Sequence, residues 1–405
     1  MKKILRLNEV AKNLLNLTSI NVLNLLVTLV TIPFLSRVLG PEHYGYYFIF
    51  ISASLFATIL TDYSTQITGV RDVAKNKDPR QLPRLYAQYQ AVRFVAGLFS
   101  CLIFTVYTAC VIPGISLPVI ATYYLIVVSG HYLTASWFHQ GISQLSALAV
   151  ATLLSRLVHI VALLLWVRSP ADMLLAVFIN ALAYLLTGLY AVRCRHIQNG
   201  LRENVEFTGL WSRLCAGRDS FIGDFAPNLY SNIPLLIIGS LVSPAVFAGF
   251  SIAMRLVAIA GSVQLMLSKA AYPIIAKGKG TFGRLLQLNV LLSALPVLVI
   301  FMFGDRCVTL FLGSGYPDVT GYLKLLSAGI LFNGMLTAYS YGYFLPRHLD
   351  REFRNISLFV SLVSAVTGYV LIYLFSVTGA IAMFVFARML FVMCYALTHR
   401  RLSRR

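Results

Sequence analysis

Five basic residues lie inside long apolar stretches of the sequence: Arg93, Arg156, Arg255, Lys269 and Arg388. A charged side chain is costly within a membrane, so each of these marks either a substrate path or a paired charge. A guanidinium stays protonated and binds phosphate through paired hydrogen bonds. These residues could therefore form a cationic cavity along which an anionic group crosses an apolar layer.

Their positions separate the five bases into two groups. Arg156, Arg255 and Arg388 lie near the middle of their stretches, where each must face a substrate path or an ion-pair partner. Arg93 and Lys269 lie near the ends of theirs. For these two, the alternative to a place on the path is a side chain that extends to the membrane surface.

Acidic and imidazole side chains could act together with these bases. Asp62 and Asp224 also lie in apolar stretches, and each could pair with an Arg or bind H⁺ or Na⁺ if transport is ion-coupled. His159 follows Arg156 by three positions and therefore shares its helix face. The alternative for His159 is a hydrogen-bonded place in the core.

Neutral polar side chains recur at helical spacing in two of the stretches. Asn21, Asn24 and Thr28 share a face of the first, and Asn228 lies in the seventh. We expect these four residues to line the cavity. The alternative is hydrogen bonding between neighbouring helices.

The elements that must position these side chains are membrane helices. Of the 405 residues, 58% are hydrophobic and 12% are charged, whereas a soluble domain has about 25% charged residues. Apolar runs long enough to cross a bilayer cover residues 14–36, 45–70, 88–111, 118–138, 145–167, 171–192, 218–241, 245–270, 285–303, 321–345, 355–376 and 378–398. The sequence therefore predicts an all-α integral membrane protein with about twelve transmembrane helices.

The charges predict the orientation of these helices. The net charge is +19, and most basic residues lie at the two termini and in the even-numbered gaps between runs. The odd-numbered gaps and the run ends that flank them hold Arg37, Arg168, Arg306 and Lys324. Basic loops remain in the cytoplasm, so we expect both termini there. Because these bases lie in short loops, nucleic-acid binding is not expected.

The longest gap, residues 193–217, lies near the middle of the chain and predicts two domains, 1–200 and 201–405, of six helices each. Residues 39–47 and 242–250 form a weak internal repeat, in which a Pro turn follows an apolar helix and Gly and aromatic residues follow the turn. An even number of helices per half relates the halves in parallel. We therefore expect two parallel-related six-helix bundles around a central cavity.

No motif for catalysis or for a cofactor is found. The six Cys residues are scattered without paired spacing. A polymerase or glycosyltransferase would need a large outside loop with acidic residues, and the outside gaps are short. The sequence therefore predicts a protein that is not an enzyme, with no catalytic residue, metal ligand or cofactor.

Three stretches carry a family resemblance: residues 31–45 (TIPFLSRVLGPEHYG), 135–141 (ASWFHQG) and 249–255 (GFSIAMR). They resemble the polysaccharide transporter branch of the multidrug/oligosaccharidyl-lipid/polysaccharide flippases, and the layout is similar to that of an O-antigen flippase. Many such flippases have a Glu soon after the Trp-x-x-Gln-Gly stretch, where this chain has Ile142-Ser143-Gln144.

The resemblance implies flipping of undecaprenyl-pyrophosphate-linked oligosaccharide repeat units, as in O-antigen and lipopolysaccharide biosynthesis, from the cytoplasmic to the periplasmic leaflet of the bacterial inner membrane. Alternating access would be the mechanism. The partners would be the lipid-linked substrate and membrane lipids, with H⁺ or Na⁺ coupling and binding of polysaccharide assembly proteins left open. The alternative function is export of drugs or metabolites by a member of the same superfamily.

Overall fold

The computed structural model describes the backbone of residues 2–403 except 77, 277, 279 and 348. It describes the side chains of residues 27–402 except those four and 79, 273 and 350. The α-helices are α1 (Lys2–Asp62), α2 (Thr68–Lys75), α3 (Leu82–Val111), α4 (Leu117–Thr134), α5 (Ser136–Gly141), α6 (Leu145–Trp166), α7 (Met173–Asn199), α8 (Leu210–Phe225), α9 (Asn228–Ser231), α10 (Ile233–Leu241), α11 (Pro244–Ala276), α12 (Phe282–Leu312), α13 (Val319–Tyr339) and α14 (Asp350–Ser403). Short 3₁₀ turns cover Pro79–Gln81, Pro170–Asp172 and Leu345–Arg347, and a π turn covers Ser340–Phe344.

Helices form throughout because a backbone in lipid must satisfy its own hydrogen bonds. Within the described residues, nine helical stretches are long and apolar enough to cross a membrane. Their outer faces are apolar, as shown by Phe99 on α3, Leu291 on α12 and Val366 on α14, which are 62%, 67% and 67% exposed. Such exposed apolar faces suit contact with lipid. The prediction of an all-α integral membrane protein is confirmed.

Each of the twelve predicted runs overlaps helix in the described part of the chain, although the second run includes a turn at residues 63–67. Gly40 (φ 70°, ψ 170°) divides α1 into the first two runs, and Ser376 (φ 50°, ψ −122°) divides α14 into the last two. The seventh run is not one continuous helix, because it is broken into α8, α9 and α10. Pro227 and Pro234 lie at the starts of α9 and α10, where a missing N–H costs least.

The chain divides into two compact units. The first comprises residues 1–39 and 46–225, and the second comprises residues 40–45 and 226–405. Residues 201–225 therefore belong by their contacts to the first unit, although the gap at the middle of the sequence predicts a boundary at 200/201. The division into six and six helices stays a prediction.

Small residues let helices approach closely inside each unit, as is common in membranes. In the first unit, a Cβ on Gly130 of α4 would lie 2.4 Å from the carbonyl carbon of Tyr184 on α7. In the second unit, a Cβ on Gly45 would lie 1.9 Å from the carbonyl oxygen of Pro244. Glycine is therefore required at both contacts.

Residues 201–209, which follow α7, are attached to α3 rather than free. Tyr86 donates to Oε2 of Glu203 at 2.6 Å. The backbone N–H of Glu206 donates to the carbonyl oxygen of Ala87 at 3.1 Å, and its Oε1 accepts from Nε of Arg84 at 3.1 Å. We call residues 201–209 the strap.

Candidate functional site

Arg156 is a partly exposed base on α6 of the first unit. Its guanidinium carbon lies 5.9 Å from the ring centroid of Tyr184 on α7, within the range of a cation–π contact. A hydrogen bond of 2.7 Å from Thr187 to Ser155 joins the same two helices. Among the described residues, the guanidinium of Arg156 has no hydrogen-bond acceptor, so its donors remain available for an anion.

His159 lies one turn after Arg156 on the same helix and is 3% exposed. It is therefore a core residue, while Arg156 reaches the surface of the unit. The two side chains share the helix face that their spacing predicts.

Arg388 is a partly exposed base on α14 of the second unit. Its Nη1 donates to the carbonyl oxygen of Gly329 on α13 at 3.1 Å, and its guanidinium carbon lies 3.8 Å from the centroid of Phe384. A Cβ at position 329 would lie 3.2 Å from Nη1, so glycine provides the room for this approach. Nη2 has no acceptor among the described residues and is available to a ligand.

The third mid-helix base, Arg255, lies on α11 together with Lys269. Arg255 is partly exposed and Lys269 is exposed, and both belong to the second unit. Between them, Ser262 donates to the carbonyl oxygen of Ala258 at 2.9 Å. This hydroxyl is satisfied within its own helix, so Arg255 and Lys269 are the charged side chains on this face.

Arg93 differs from these bases because its side chain is completely buried. Nε and Nη2 donate to Oδ1 of Asp62 at 3.2 and 3.0 Å, and Nη1 donates to Gln90 at 2.9 Å. Nη1 and Nη2 also donate to the carbonyl oxygens of Tyr132 and His131 at 2.7 and 2.9 Å. All three nitrogens are engaged, so Arg93 holds α1, α3 and α4 together.

Asp62 is correspondingly surrounded by donors. Besides Arg93, it accepts a hydrogen bond of 3.0 Å from Gln66, and Nε2 of His131 lies 2.9 Å from its Oδ1. Of the two roles open to Asp62 in the sequence, pairing with an Arg is the arrangement found in the structure. The sequence does not predict the contact between His131 and Asp62.

A second buried arginine, Arg195 on α7, also binds an acidic side chain and carbonyl oxygens of α4. The sequence does not predict this role. Nη1 and Nη2 donate to the carbonyl oxygens of Thr134 and Leu133 at 3.0 and 2.5 Å. Nε and Nη2 donate to Oε1 of Glu203 at 3.1 and 2.7 Å. Arg93 and Arg195 together satisfy the last four carbonyls of α4, which ends at the left-handed residue Ala135. The sequence predicts Arg195 to be a basic loop residue, because its spacing from α4 does not indicate that the two are in contact.

The remaining predicted residues are dispersed. Asp224 is exposed on α8, and Thr28 is partly buried on α1. Asn228 on α9 accepts a hydrogen bond of 2.7 Å from Asn232. The side chains of Asn21 and Asn24 lie outside the described residues.

The second unit also contains a buried amide network that sequence reasoning missed. Gln264 of α11 donates to Ser293 of α12 at 2.9 Å and accepts from Asn333 of α13 at 2.6 Å. Asn289 of α12 donates to Ser268 of α11 at 3.1 Å. The sequence feature that could have indicated this network is the presence of one Gln and two Asn within apolar runs. Because the network is neutral and satisfied, it joins α11, α12 and α13.

The described residues contain no group of three or more His, Cys, Asp or Glu that could hold a metal ion. The hydroxyl of Tyr63 donates to the carbonyl oxygen of Leu214 at 3.0 Å. This hydrogen bond holds α8 to the turn after α1.

Comparisons with known proteins agree with this architecture. The polysaccharide biosynthesis protein family matches residues 10–279. A protein of Escherichia coli (strain K12) described as "Putative O-antigen transporter" is 23% identical over 381 residues, which is 91% of each chain. A protein of Shigella dysenteriae with the same description is 20% identical over 406 residues, which is 94% of this chain and 98% of that protein.

The fold is shared with solved transporters. The lipid II flippase MurJ, in an inward closed conformation, aligns with a TM-score of 0.73 at 12% identity over 95% of this chain and 87% of that one. A eukaryotic MATE transporter aligns with a TM-score of 0.56 at 15% identity over 98% and 95%. The chain is therefore a multi-pass membrane protein with a MurJ- and MATE-like fold, and it belongs to the polysaccharide biosynthesis protein family.

Proposed function

We propose that this protein flips undecaprenyl-pyrophosphate-linked oligosaccharide repeat units, of the O-antigen type, from the cytoplasmic to the periplasmic leaflet of the bacterial inner membrane. Its immediate partners are the lipid-linked substrate and the surrounding lipids. Both termini lie in the cytoplasm, as the basic loops predict.

The observation that carries this proposal is the set of arginines near the middle of apolar helices. Arg156 and Arg388 are partly exposed and keep guanidinium donors that no described residue engages. Such donors match the oxygens of a diphosphate. The family and the relatives described as O-antigen transporters support a polysaccharide cargo, and the fold of a lipid II flippase supports a lipid-linked one.

Flipping requires that the diphosphate bind and then be released. Under alternating access, the affinity of the basic residues for the diphosphate must differ between two conformations. Arg388 has one donor on a backbone carbonyl and another that is unengaged, so a small shift between α13 and α14 changes the number of donors available. Coupling to H⁺ or Na⁺, and contact with assembly proteins, are further parts of this proposal.

The test is transport by the purified protein in lipid vesicles. A labelled polyprenyl-diphosphate oligosaccharide is placed in one leaflet, and its arrival in the other is followed. We expect Arg156→Gln, Arg255→Gln and Arg388→Gln to reduce the rate by about tenfold or more, since a hydrogen bond to a charged group is worth about 1.5–3 kcal/mol. Arg306→Gln, an exposed base outside the path, is the control. Normal rates in all three variants would refute the proposal.

Export of cationic drugs is the other function that the fold permits, since MATE transporters share it. A cation exporter needs an available acid at membrane depth. Of the two acids that the sequence places in apolar runs, Asp62 is already bonded to Arg93 and lies beside His131, and Asp224 lies on α8. A fluorescent cation in the same vesicles separates the two functions, and we expect no transport of it.

A further inference from the structure

A polar cavity of about 360 Å³ lies in the first unit where α2, α3 and α8 meet. Arg71 and Asp72 of α2, Tyr89 of α3 and Arg213 of α8 line it. Its size lies at the lower end of the range for small-molecule sites. Thr208 and Gly209 of the strap also line it, and none of the mid-helix arginines described above does.

The one acid of this cavity is already satisfied. Oδ1 of Asp72 accepts from Nε of Arg71 at 3.2 Å, and Oδ2 accepts from the hydroxyl of Tyr89 at 2.7 Å. Nη1 of Arg213 lies 3.6 Å from the same Oδ2, and its guanidinium carbon lies 4.6 Å from the Tyr89 ring centroid. Nε and Nη2 of Arg213 donate to Oε1 of Gln88 at 3.0 and 2.7 Å, so Gln88 holds Arg213 in place. Asp72 holds Arg71 and has little capacity left for a cation.

The groups that remain available in the cavity are donors. The side chain of Arg71 is 54% exposed, and its Nη1 and Nη2 have no acceptor among the described residues. The hydroxyls of Thr208 and Ser212, at the end of the strap and the start of α8, line the same cavity without a described partner. Two arginines against one carboxylate leave a net positive charge. The cavity is therefore suited to a phosphate-type anion.

Two aromatic side chains beside these hydroxyls indicate the depth of the cavity in the membrane. Phe207 is 53% exposed and Trp211 is 77% exposed. Exposed Trp side chains concentrate at the level of the lipid headgroups, where one end of the ring is apolar and the other polar. The anion that reaches this cavity is thus more readily a lipid headgroup than a solute.

We propose that this cavity is a docking site for the diphosphate headgroup of the lipid-linked cargo, at the membrane surface on the side of the basic loops. Arg71 and the hydroxyls of Thr208 and Ser212 bind the diphosphate oxygens, while Arg213 supplies charge from the wall. The site captures the headgroup before it reaches the mid-helix arginines. The identity of the lipid rests on the function proposed above. The preference for a diphosphate rests on the residues of the cavity alone.

The test uses Trp211 as a local reporter. Full-length protein in lipid nanodiscs is titrated with a dansyl-labelled polyprenyl diphosphate, and quenching of Trp fluorescence is recorded. A Trp211→Phe variant supplies the signal of the other two Trp residues for subtraction. We expect Arg71→Gln to weaken binding by about tenfold, from the loss of one charged hydrogen bond, and Ser212→Ala to weaken it less. Arg80→Gln removes the same charge from an exposed neighbour that does not line the cavity and leaves binding unchanged.

Two further arms identify the source of the phosphate. Phosphatidylglycerol and inorganic diphosphate are used as competitors, and we expect both to compete at least tenfold more weakly than unlabelled polyprenyl diphosphate. Equal binding by Arg71→Gln and Arg80→Gln overturns the site. Equal competition by phosphatidylglycerol overturns the preference for a diphosphate, and equal competition by inorganic diphosphate overturns the lipid source. Binding at this cavity without transport in vesicles would refute the proposed function and leave the site intact.

Discussion

At the scale of single residues, the arginines divide by how many of their donors the protein itself uses. Arg93 and Arg195 are buried with all three nitrogens engaged, whereas Arg156 and Arg388 keep unengaged donors at partly exposed positions. The first pair stabilises the fold, and the second pair is available to a substrate. From the sequence, Arg93 is a candidate for the substrate path and Arg195 is a basic loop residue. Residue type and depth in the membrane do not show which hydrogen-bond partners the fold supplies.

Arg93→Gln should destabilise the protein strongly. The change leaves the Asp62 carboxylate and two α4 carbonyls without their main donor, and breaking a buried ion pair costs about 3–5 kcal/mol. Thermal unfolding in detergent measures the loss. The double variant Arg93→Gln, Asp62→Asn should lose less than the sum of the single variants. Arg84→Gln, whose exposed pair with Glu206 is worth about 0–1 kcal/mol, is the control.

Gly329→Ala should lower transport with little loss of stability. The added methyl would lie 3.2 Å from Nη1 of Arg388 and would displace the guanidinium from the carbonyl that holds it. Gly321→Ala on the same helix meets nothing within 4 Å and should transport normally. The vesicle assay compares the two. Equal rates would show that the position of Arg388 does not matter for transport.

At the scale of elements, apolar run length predicts the helices well but not their interruptions. The seventh run contains Pro227 and Pro234, which indicate breaks, yet its overall apolarity favours a single helix. The fourth run, residues 118–138, is interrupted at Ala135, whose left-handed backbone is not predicted by its residue type. That turn is held by Arg93 and Arg195 from other helices, so it depends on tertiary contacts that periodicity does not contain.

Ser376→Gly should stabilise α14. Ser376 has φ 50° and ψ −122°, close to the first central position of a type II′ turn, which glycine favours. Relief of this strain should raise the unfolding free energy by about 1 kcal/mol. Ser357→Gly makes the same chemical change within the helix and should lower stability by a few tenths of a kcal/mol. Unfolding midpoints for the two variants should therefore shift in opposite directions.

At the scale of the whole molecule, charge distribution predicts orientation, and the fold agrees with the span count on which that prediction depends. A missed helix would have exchanged the two sides for every later loop. The units are less predictable, because polarity marks residues 193–217 as a linker whereas contacts assign residues up to 225 to the first unit.

The orientation is tested with single cysteines in a Cys-free background. Ser116 and Asn204 are both exposed, in an odd-numbered gap and in the strap respectively. A membrane-impermeant maleimide added to the outside of spheroplasts should label Ser116→Cys and leave Asn204→Cys unlabelled until the membrane is opened. The reverse pattern would place the basic loops outside.

The strap has a consequence for where this chain can be divided into fragments. A polar stretch at mid-sequence is the usual place to cut a transporter for reassembly from two separately expressed pieces. A cut at 200/201 would make Glu203 and Glu206 part of the C-terminal fragment, while Arg195, Tyr86 and Arg84 remain on the other. A cut at 225/226 keeps each of these bonds within one polypeptide, so the viable break lies after α8, in a stretch that hydropathy assigns to the membrane.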